Sequence, residues 1–208
     1  MISLFLNTSS NYLSLCLYKD NNILTSIHKQ LDRDLSKETL YLIETILKSE
    51  KITPKDIDEI ICVRGPGSFT GLRVGVTIAK TMAYFLNKKL YSISTLEVMA
   101  LSLNANIKVP IIDARRGFVY GAIYDKNNNI LLSERHISLE ELKKIVNSYK
   151  EEKAFISNDI FEFETSEFKP NFEKIITSKF KKEEDPMSFI PTYLKKTEAE
   201  EKLNDCKI

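Results

Sequence analysis

Eleven consecutive residues, Gly65-Pro66-Gly67-Ser68-Phe69-Thr70-Gly71-Leu72-Arg73-Val74-Gly75, constrain the fold more than any other part of the chain. They join a strand-like run, Glu59 to Val63, to a long apolar helical pattern ending near Leu86. Four of the six glycines in 208 residues fall here. Gly71 and Gly75 lie inside the helical pattern, where each costs about 1 kcal/mol relative to alanine. A loss of that size needs a compensating close approach to the backbone, by another element, another protein or a ligand.

The rows on that helix sharpen the point. Gly67, Gly71, Gly75, Ala79 and Ala83 recur every four positions, the spacing of a ridge that packs helix against helix. Arg73, Thr77, Lys80 and Tyr84 take the other side. Packing rules leave two readings open, a ridge sealed within its own domain or a surface that receives a partner. On the second reading Gly75→Leu or Ala79→Glu abolishes assembly and leaves the fold soluble.

Around this segment the chain alternates strands and helices. Ile2 to Leu6, Tyr12 to Tyr18 and Ile23 to Lys29 read as an antiparallel meander, with Asp20-Asn21-Asn22 supplying turn chemistry. A helix follows from about Ser36 to Lys48, with Leu40, Ile43, Ile46 and Leu47 as its buried face. Thr53-Pro54-Lys55-Asp56 announces a short helix and Ser94 with Glu97 a capping box. Strands are expected at 59–64 and 90–93, and helices at 70–86 and 94–103. The result is an α/β unit with a mixed sheet over residues 1–103. A second, smaller unit and tail, 104–208, opens with strands at 109–113, 118–124 and 130–136 and a capped helix at 138–147. Residues 150–190 show weak periodicity and read only as a surface-weighted αβ stretch. Ile190 to Leu194 is extended, and Lys195 to Leu203 is helix-prone.

Composition excludes several classes. Hydrophobic residues make up 43% and charged residues 28%, with a net charge of +1. This suits a soluble globular domain, and the balance gives no support to autonomous nucleic-acid binding. No apolar run approaches the roughly 18 residues of a membrane span. Cys16, Cys62 and Cys206 form no CxxC pair, which fits a reducing cytosol, and the first residues lack a secretory pattern.

Chemical motifs are sparse. Gly71 is followed by Leu72 and Arg73, so the segment is not a GxxxxGK phosphate loop, and Ser68 lacks the flanking glycines of a nucleophile elbow. A strand–glycine loop–helix start still exposes backbone N–H groups that attract an anion. Asn7-Thr8-Ser9-Ser10 reads as a hairpin turn, and Asp113-Ala114-Arg115-Arg116-Gly117 as a turn between strands. His28 and His136 lack further ligands at metal spacing, and Asp32, Arg33 and Asp34 form a charged loop. No activated nucleophile, acid–base pair or metal cluster emerges.

The segment Gly65–Gly75 resembles the signature of the bacterial TsaB (YeaZ) family. Leu6-Asn7-Thr8-Ser9, Ser94-Thr95-Leu96, Ile112-Asp113-Ala114-Arg115 with Gly117, Val119 and Tyr120, and Pro191-Thr192-Tyr193-Leu194-Lys195 are similar to further family elements in order and spacing. The resemblance implies an actin/Hsp70/sugar-kinase-like (ribonuclease H-like) fold of two α/β lobes with mixed sheets, the second truncated. It also implies a cytoplasmic, non-catalytic subunit in synthesis of N6-threonylcarbamoyladenosine at tRNA position 37. Such a subunit binds and activates a TsaD-type transferase that holds the metal. A TsaE-type ATPase joins them, and tRNA is met only through the complex.

The interface implied is a bundle of the early helix and the glycine-started helix, here Leu40, Ile43, Leu47, Gly71, Arg73, Gly75, Ala79 and Ala83. The same surface would pair two copies when the subunit is alone. ATP or ADP at the subunit interface would meet Gly65, Gly67, Ser68 and Thr70. Asn7 stands where the family commonly has Asp, and an amide is a poorer ligand for a hard cation. Leu35 stands where it commonly has His. The alternative is a stand-alone ATP-dependent phosphotransferase or peptidase of the same superfamily.

Overall fold

The computed structural model of the chain describes residues 1–31 and 35–195. The charged loop expected at Asp32–Asp34, the helix-prone segment beyond Lys195, and Cys206 lie outside the described residues. The meander forms as β1 (Ile2–Asn7), β2 (Tyr12–Lys19) and β3 (Asn22–Gln30), each antiparallel to the next. After α1 (Leu35–Ser49) and a 3₁₀ turn at Pro54–Asp56, β4 (Glu59–Val63) pairs parallel to β1. α2 (Phe69–Leu86) then leads to β5 (Lys89–Ile93), parallel to β4. Crossover helices are what a parallel pair requires, so α1 and α2 follow from the topology.

α3 (Thr95–Ser102) links this unit to a second one. There β6 (Ile107–Asp113), β7 (Phe118–Asp125) and β8 (Ile130–Ser138) form another antiparallel meander. α4 (Leu139–Ser148) crosses to β9 (Lys153–Ser157), parallel to β6, and β10 (Ser166–Glu167) pairs parallel to β9. The two sheets therefore share one strand order, β3-β2-β1-β4-β5 and β8-β7-β6-β9-β10. The second copy is cut short: the 18-residue α2 of the first lobe has only the loop at 158–165 as its counterpart.

The stretch at 150–190 thus resolves into β9, β10, α5 (Phe172–Ile176) and β11 (Lys182–Glu184). β11 leaves the second lobe and adds an antiparallel edge to β5 of the first sheet. Beyond it the tail runs back along α2, with Lys80 Nζ donating to the Met187 and Phe189 carbonyls and Thr192 N–H to Arg64 O.

Alternation along the strands builds the layers. Leu4, Leu6, Ile60 and Cys62 turn to the side covered by α1 and α2. Phe5, Ile61 and Val63 turn to a central core shared by α3, α5 and one face of the second sheet. Ile107, Val109 and Ile111 face α4 on the far side. α3 is buried nearly all round because both lobes pack on it.

The buried face of α1 needs correction. Thr39, Ile43, Ile46 and Leu47 are sealed, whereas Leu40 is 54% exposed. Thr39 takes the core position because its hydroxyl donates to Leu35 O at 2.6 Å, so no polar atom is buried without a partner. Two substitutions check this assignment by urea unfolding. Ile43→Ala should cost about 2–5 kcal/mol as a core cavity, and Leu40→Ala no more than about 0.5 kcal/mol as a surface change.

Candidate functional site

The glycine row of α2 seats the turn between β1 and β2. A Cβ on Gly71 would lie 2.1 Å from Thr8 O, and one on Gly75 would lie 2.2 Å from Thr8 Oγ1. Thr8 Oγ1–H donates to Gly71 O at 2.7 Å, using the space the missing side chain leaves. Gly67 makes the same allowance for Ser9 O, which lies 2.2 Å from where its Cβ would be and accepts from Ser68 N–H at 2.7 Å. The turn is braced from behind by Asn7, whose Oδ1 accepts Ser9 N–H at 2.9 Å. Asn7 is buried, and its amide oxygen is spent on its own turn.

This overturns the partner reading of the row itself. Gly71, Gly75, Ala79 and Ala83 are buried against the chain's own first lobe, and Ile43 and Leu47 with them. None of the six can present surface to another protein. Leu40 and Arg73, from the same expected set, are exposed.

Close seating of the turn on α2 makes one wall of a cavity of about 720 Å³ between the lobes. That wall carries hydroxyl and backbone groups, from Ser9 and Ser10 on the turn and from Gly67, Ser68 and Thr70 at the start of α2. Ser68 caps the helix, accepting Gly71 N–H at 3.3 Å. Gly65 is set apart from it. Its φ of +121° needs glycine, and its Cα faces Thr192 O of the returning tail. Of the expected nucleotide-proximal residues, the cavity gathers Gly67, Ser68 and Thr70 and leaves out Gly65.

The opposite wall comes from the second lobe, with Asp113, Ala114 and Arg115 on the β6–β7 turn and Asn158 and Asp159 after β9. Arg115, Arg116 and Gly117 all hold positive φ, which folds the turn back on itself. Asp113 N–H donates to Asp159 Oδ2 at 2.8 Å, and Asp113 Oδ1 accepts Arg115 N–H at 2.8 Å. Burial pushes the Asp159 carboxyl up, the Asp113 N–H bond opposes that, and the charge of Asp113 adds to it. Asn158 and Asp159 carried no sequence signal, since they sit in a loop without periodicity. At the mouth, Phe69 stacks obliquely on Tyr193 at 5.4 Å and lies 3.8 Å beneath the Arg73 guanidinium.

Both described cysteines are closed off. Burial pushes the Cys16 thiol up to about 12, against a hydrogen bond from Tyr18, and raises Cys62 as well. One serine–histidine contact went unseen in the sequence, Ser14 Oγ to His28 Nδ1 at 3.0 Å. It joins neighbouring strands, Ser14 is fully buried, and neither residue lines the cavity. His28 is further held by stacking on Tyr12, and burial lowers its pKa. Among the described residues no group of three or more His, Cys, Asp or Glu could hold a metal ion.

Two lobes of one strand order facing each other across a cavity define the actin/Hsp70/sugar-kinase class of fold. A family model described as "TsaD: tRNA N6-adenosine threonylcarbamoyltransferase" matches residues 24–192. The tRNA threonylcarbamoyladenosine biosynthesis protein TsaB of Bacillus subtilis (strain 168) is 28% identical over 164 residues, covering 76% of this chain and 72% of that protein. TsaB of Buchnera aphidicola subsp. Schizaphis graminum is 30% identical over 154 residues, 72% and 73% of the two chains. The solved YeaZ from Pseudomonas aeruginosa superimposes with a TM-score of 0.60 at 25% identity, over 67% of this chain and 68% of that one. A second crystal structure, titled as similar to peptidase YEAZ from Pseudomonas aeruginosa, has a TM-score of 0.72 at 19% identity and covers 93% and 99%. The chain belongs to the family that the model describes and, within it, to TsaB (YeaZ).

The seat of the turn is testable by a double-mutant cycle. Gly75→Ala should cost about 1–3 kcal/mol through overpacking against Thr8. The same change should cost less in a Thr8→Ala background, read from urea midpoints. Equal costs in both backgrounds would mean that Thr8 is not what Gly75 makes room for.

Proposed function

We propose that this protein is the non-catalytic activating subunit of a cytoplasmic tRNA threonylcarbamoyladenosine complex, and that it docks a TsaD-type transferase on the outer side of α1 and α2. The observation that carries the reading is where this layer spends its large apolar side chains. The inner side of both helices is sealed on the first sheet, yet Leu40 and Tyr41 on α1 and Tyr84 and Phe85 on α2 stand in solvent. Tyr41 is 65% exposed and Phe85 78%. Exposed aromatic residues on a helical layer are characteristic of protein interfaces. The relatives' name places them in the same biosynthesis.

In this reading the TsaE-type ATPase joins the pair, tRNA is reached through the complex, and two copies share the same surface when the partner is missing. ATP or ADP at the subunit interface would meet the hydroxyl wall formed by Ser68 and Thr70. Among the described residues no helix is long and apolar enough to cross a membrane.

The cavity favours one rival, a phosphotransferase, because two neighbouring carboxylates, Asp113 and Asp159, face a wall of backbone donors. Peptidase chemistry has less support, since Ser14 is fully buried and neither it nor His28 lines the cavity. The classes separate in two experiments. Tyr41→Glu and Phe85→Glu should each weaken capture of a purified TsaD-type subunit at least tenfold with thermal stability unchanged, since neither side chain is core. Calorimetry and phosphate release with ATP and magnesium should show no turnover by the isolated chain. Unaltered capture by both variants would remove the docking surface, and turnover by the isolated chain would establish the rival.

A further inference from the structure

A second cavity, of about 270 Å³, lies where the β7–β8 turn meets α5 and the segment after it. Asn128 lines it from the turn, and Lys174, Ser178 and Lys179 line it from the other side. None of the four lines the large cavity between the lobes. Hydrogen-bond acceptors around this second space are already spent. Asp125, at the start of the turn, takes Asn127 N–H at 2.8 Å and Asn129 N–H at 2.7 Å on Oδ1. Its Oδ2 takes the Asn129 amide at 2.8 Å. Asn128 Oδ1 takes Lys108 Nζ at 2.7 Å, and Asn129 Oδ1 takes Lys179 Nζ at 2.9 Å. At the end of α5, Glu173 O takes the Thr177 hydroxyl at 3.1 Å and Ile175 O takes Ser178 N–H at 3.1 Å.

Donors are left over. Lys108, on β6, is only 2% exposed, yet its ammonium is met by a neutral amide. Burying a cation beside a neutral partner is costly, and an ammonium has three hydrogens to place. Among the described residues, none of Lys108, Lys174 and Lys179 forms a salt bridge. Lys108 holds the amide oxygen of Asn128, so that side chain has only its NH₂ to offer. The Ser178 hydroxyl oxygen accepts Phe180 N–H at 3.0 Å and keeps its proton to donate.

We propose that this cavity binds a phosphate group, held by the Lys174 and Lys179 ammoniums, with Lys108 as the buried charge behind Asn128. A tetrahedral oxyanion brings acceptors to a place that has only donors unspent, and lysine serves phosphate as a point charge. Burial and the charge of Lys174 pull the Lys108 pKa down, against Asp125. An anion between the lysines relieves that repulsion. A free phosphate and a nucleic-acid backbone supply the same chemistry, and the test separates the two.

The test is a ¹⁵N-resolved NMR titration of the full chain at constant ionic strength set with chloride. One arm uses sodium phosphate, the other a short oligouridylate without terminal phosphates. Saturable shifts are expected at the amides of Asn127–Asn129 and Ser178–Phe180. Shifts with sodium phosphate identify a free-ion site, and shifts with the oligouridylate alone identify a backbone site. Lys174→Gln and Lys179→Gln should each weaken the response at least about tenfold, the loss of one charge-assisted bond, with the thermal midpoint unchanged. Lys108→Met should weaken it as much while the midpoint holds or rises, because a buried cation with a neutral partner is removed. If Lys108→Met does not fold, the two exposed lysines decide. Absence of saturable shifts at these amides with both probes would overturn the site, as would unchanged affinity in the lysine variants that fold.

Discussion

The turn after the first strand sits in the glycine row of α2, and the rest of the molecule is arranged around that seat. Thr8 occupies space that any side chain at Gly71 or Gly75 would fill, and its hydroxyl caps a carbonyl inside the helix. The contact fuses two chain segments distant in sequence, the β1–β2 turn and the β4–α2 loop, into one rigid wall. Without it the helix would ride higher on the sheet and the hydroxyl groups of Ser9 and Ser68 would no longer line the same space. About 2 kcal/mol of helix propensity given up at two glycines is offset by this close approach.

From that wall the division of labour follows. The first lobe offers hydroxyls and backbone donors to the cavity, the second offers Asp113 and Asp159, and α3 lies between them as part of both cores. The second lobe has lost the helix that would match α2, so it cannot build an equivalent seat for its own β6–β7 turn. Its turn is held instead by Asp159 from the loop that replaces that helix. The outer helices α1 and α2 take no part in the cavity beyond the first turn of α2, and their solvent side carries exposed aromatic residues.

Much of this was legible in the sequence. Alternation in β1 to β3 and the strand–glycine–helix transition located the first lobe, and Ser94 with Glu97 located α3, whose capping box forms as expected. The small-residue row correctly announced a close approach but did not reveal what approached, because spacing is identical for a turn of the same chain and for a foreign helix. Leu40 was misplaced because a stripe drawn from apolar residues alone overlooks a threonine that satisfies its hydroxyl within the helix. The acidic wall at Asp159 was invisible, because it depends on long-range pairing that brings two loops together and leaves no periodic trace. β11 escaped notice for the same reason, being three residues that pair with a strand far back in the sequence.

The central claim is that the outside of α1 and α2 receives another protein while the cavity does no independent chemistry. Hydrogen exchange of this chain alone and saturated with a purified TsaD-type subunit tests it most directly. The account predicts new protection in the peptides holding Tyr41 and Tyr84–Phe85, with the β6–β7 turn around Asp113 unchanged. Protection confined to the turns at Ser9–Asn11 and Asp113–Arg115, with α1 and the end of α2 exchanging as before, would contradict it.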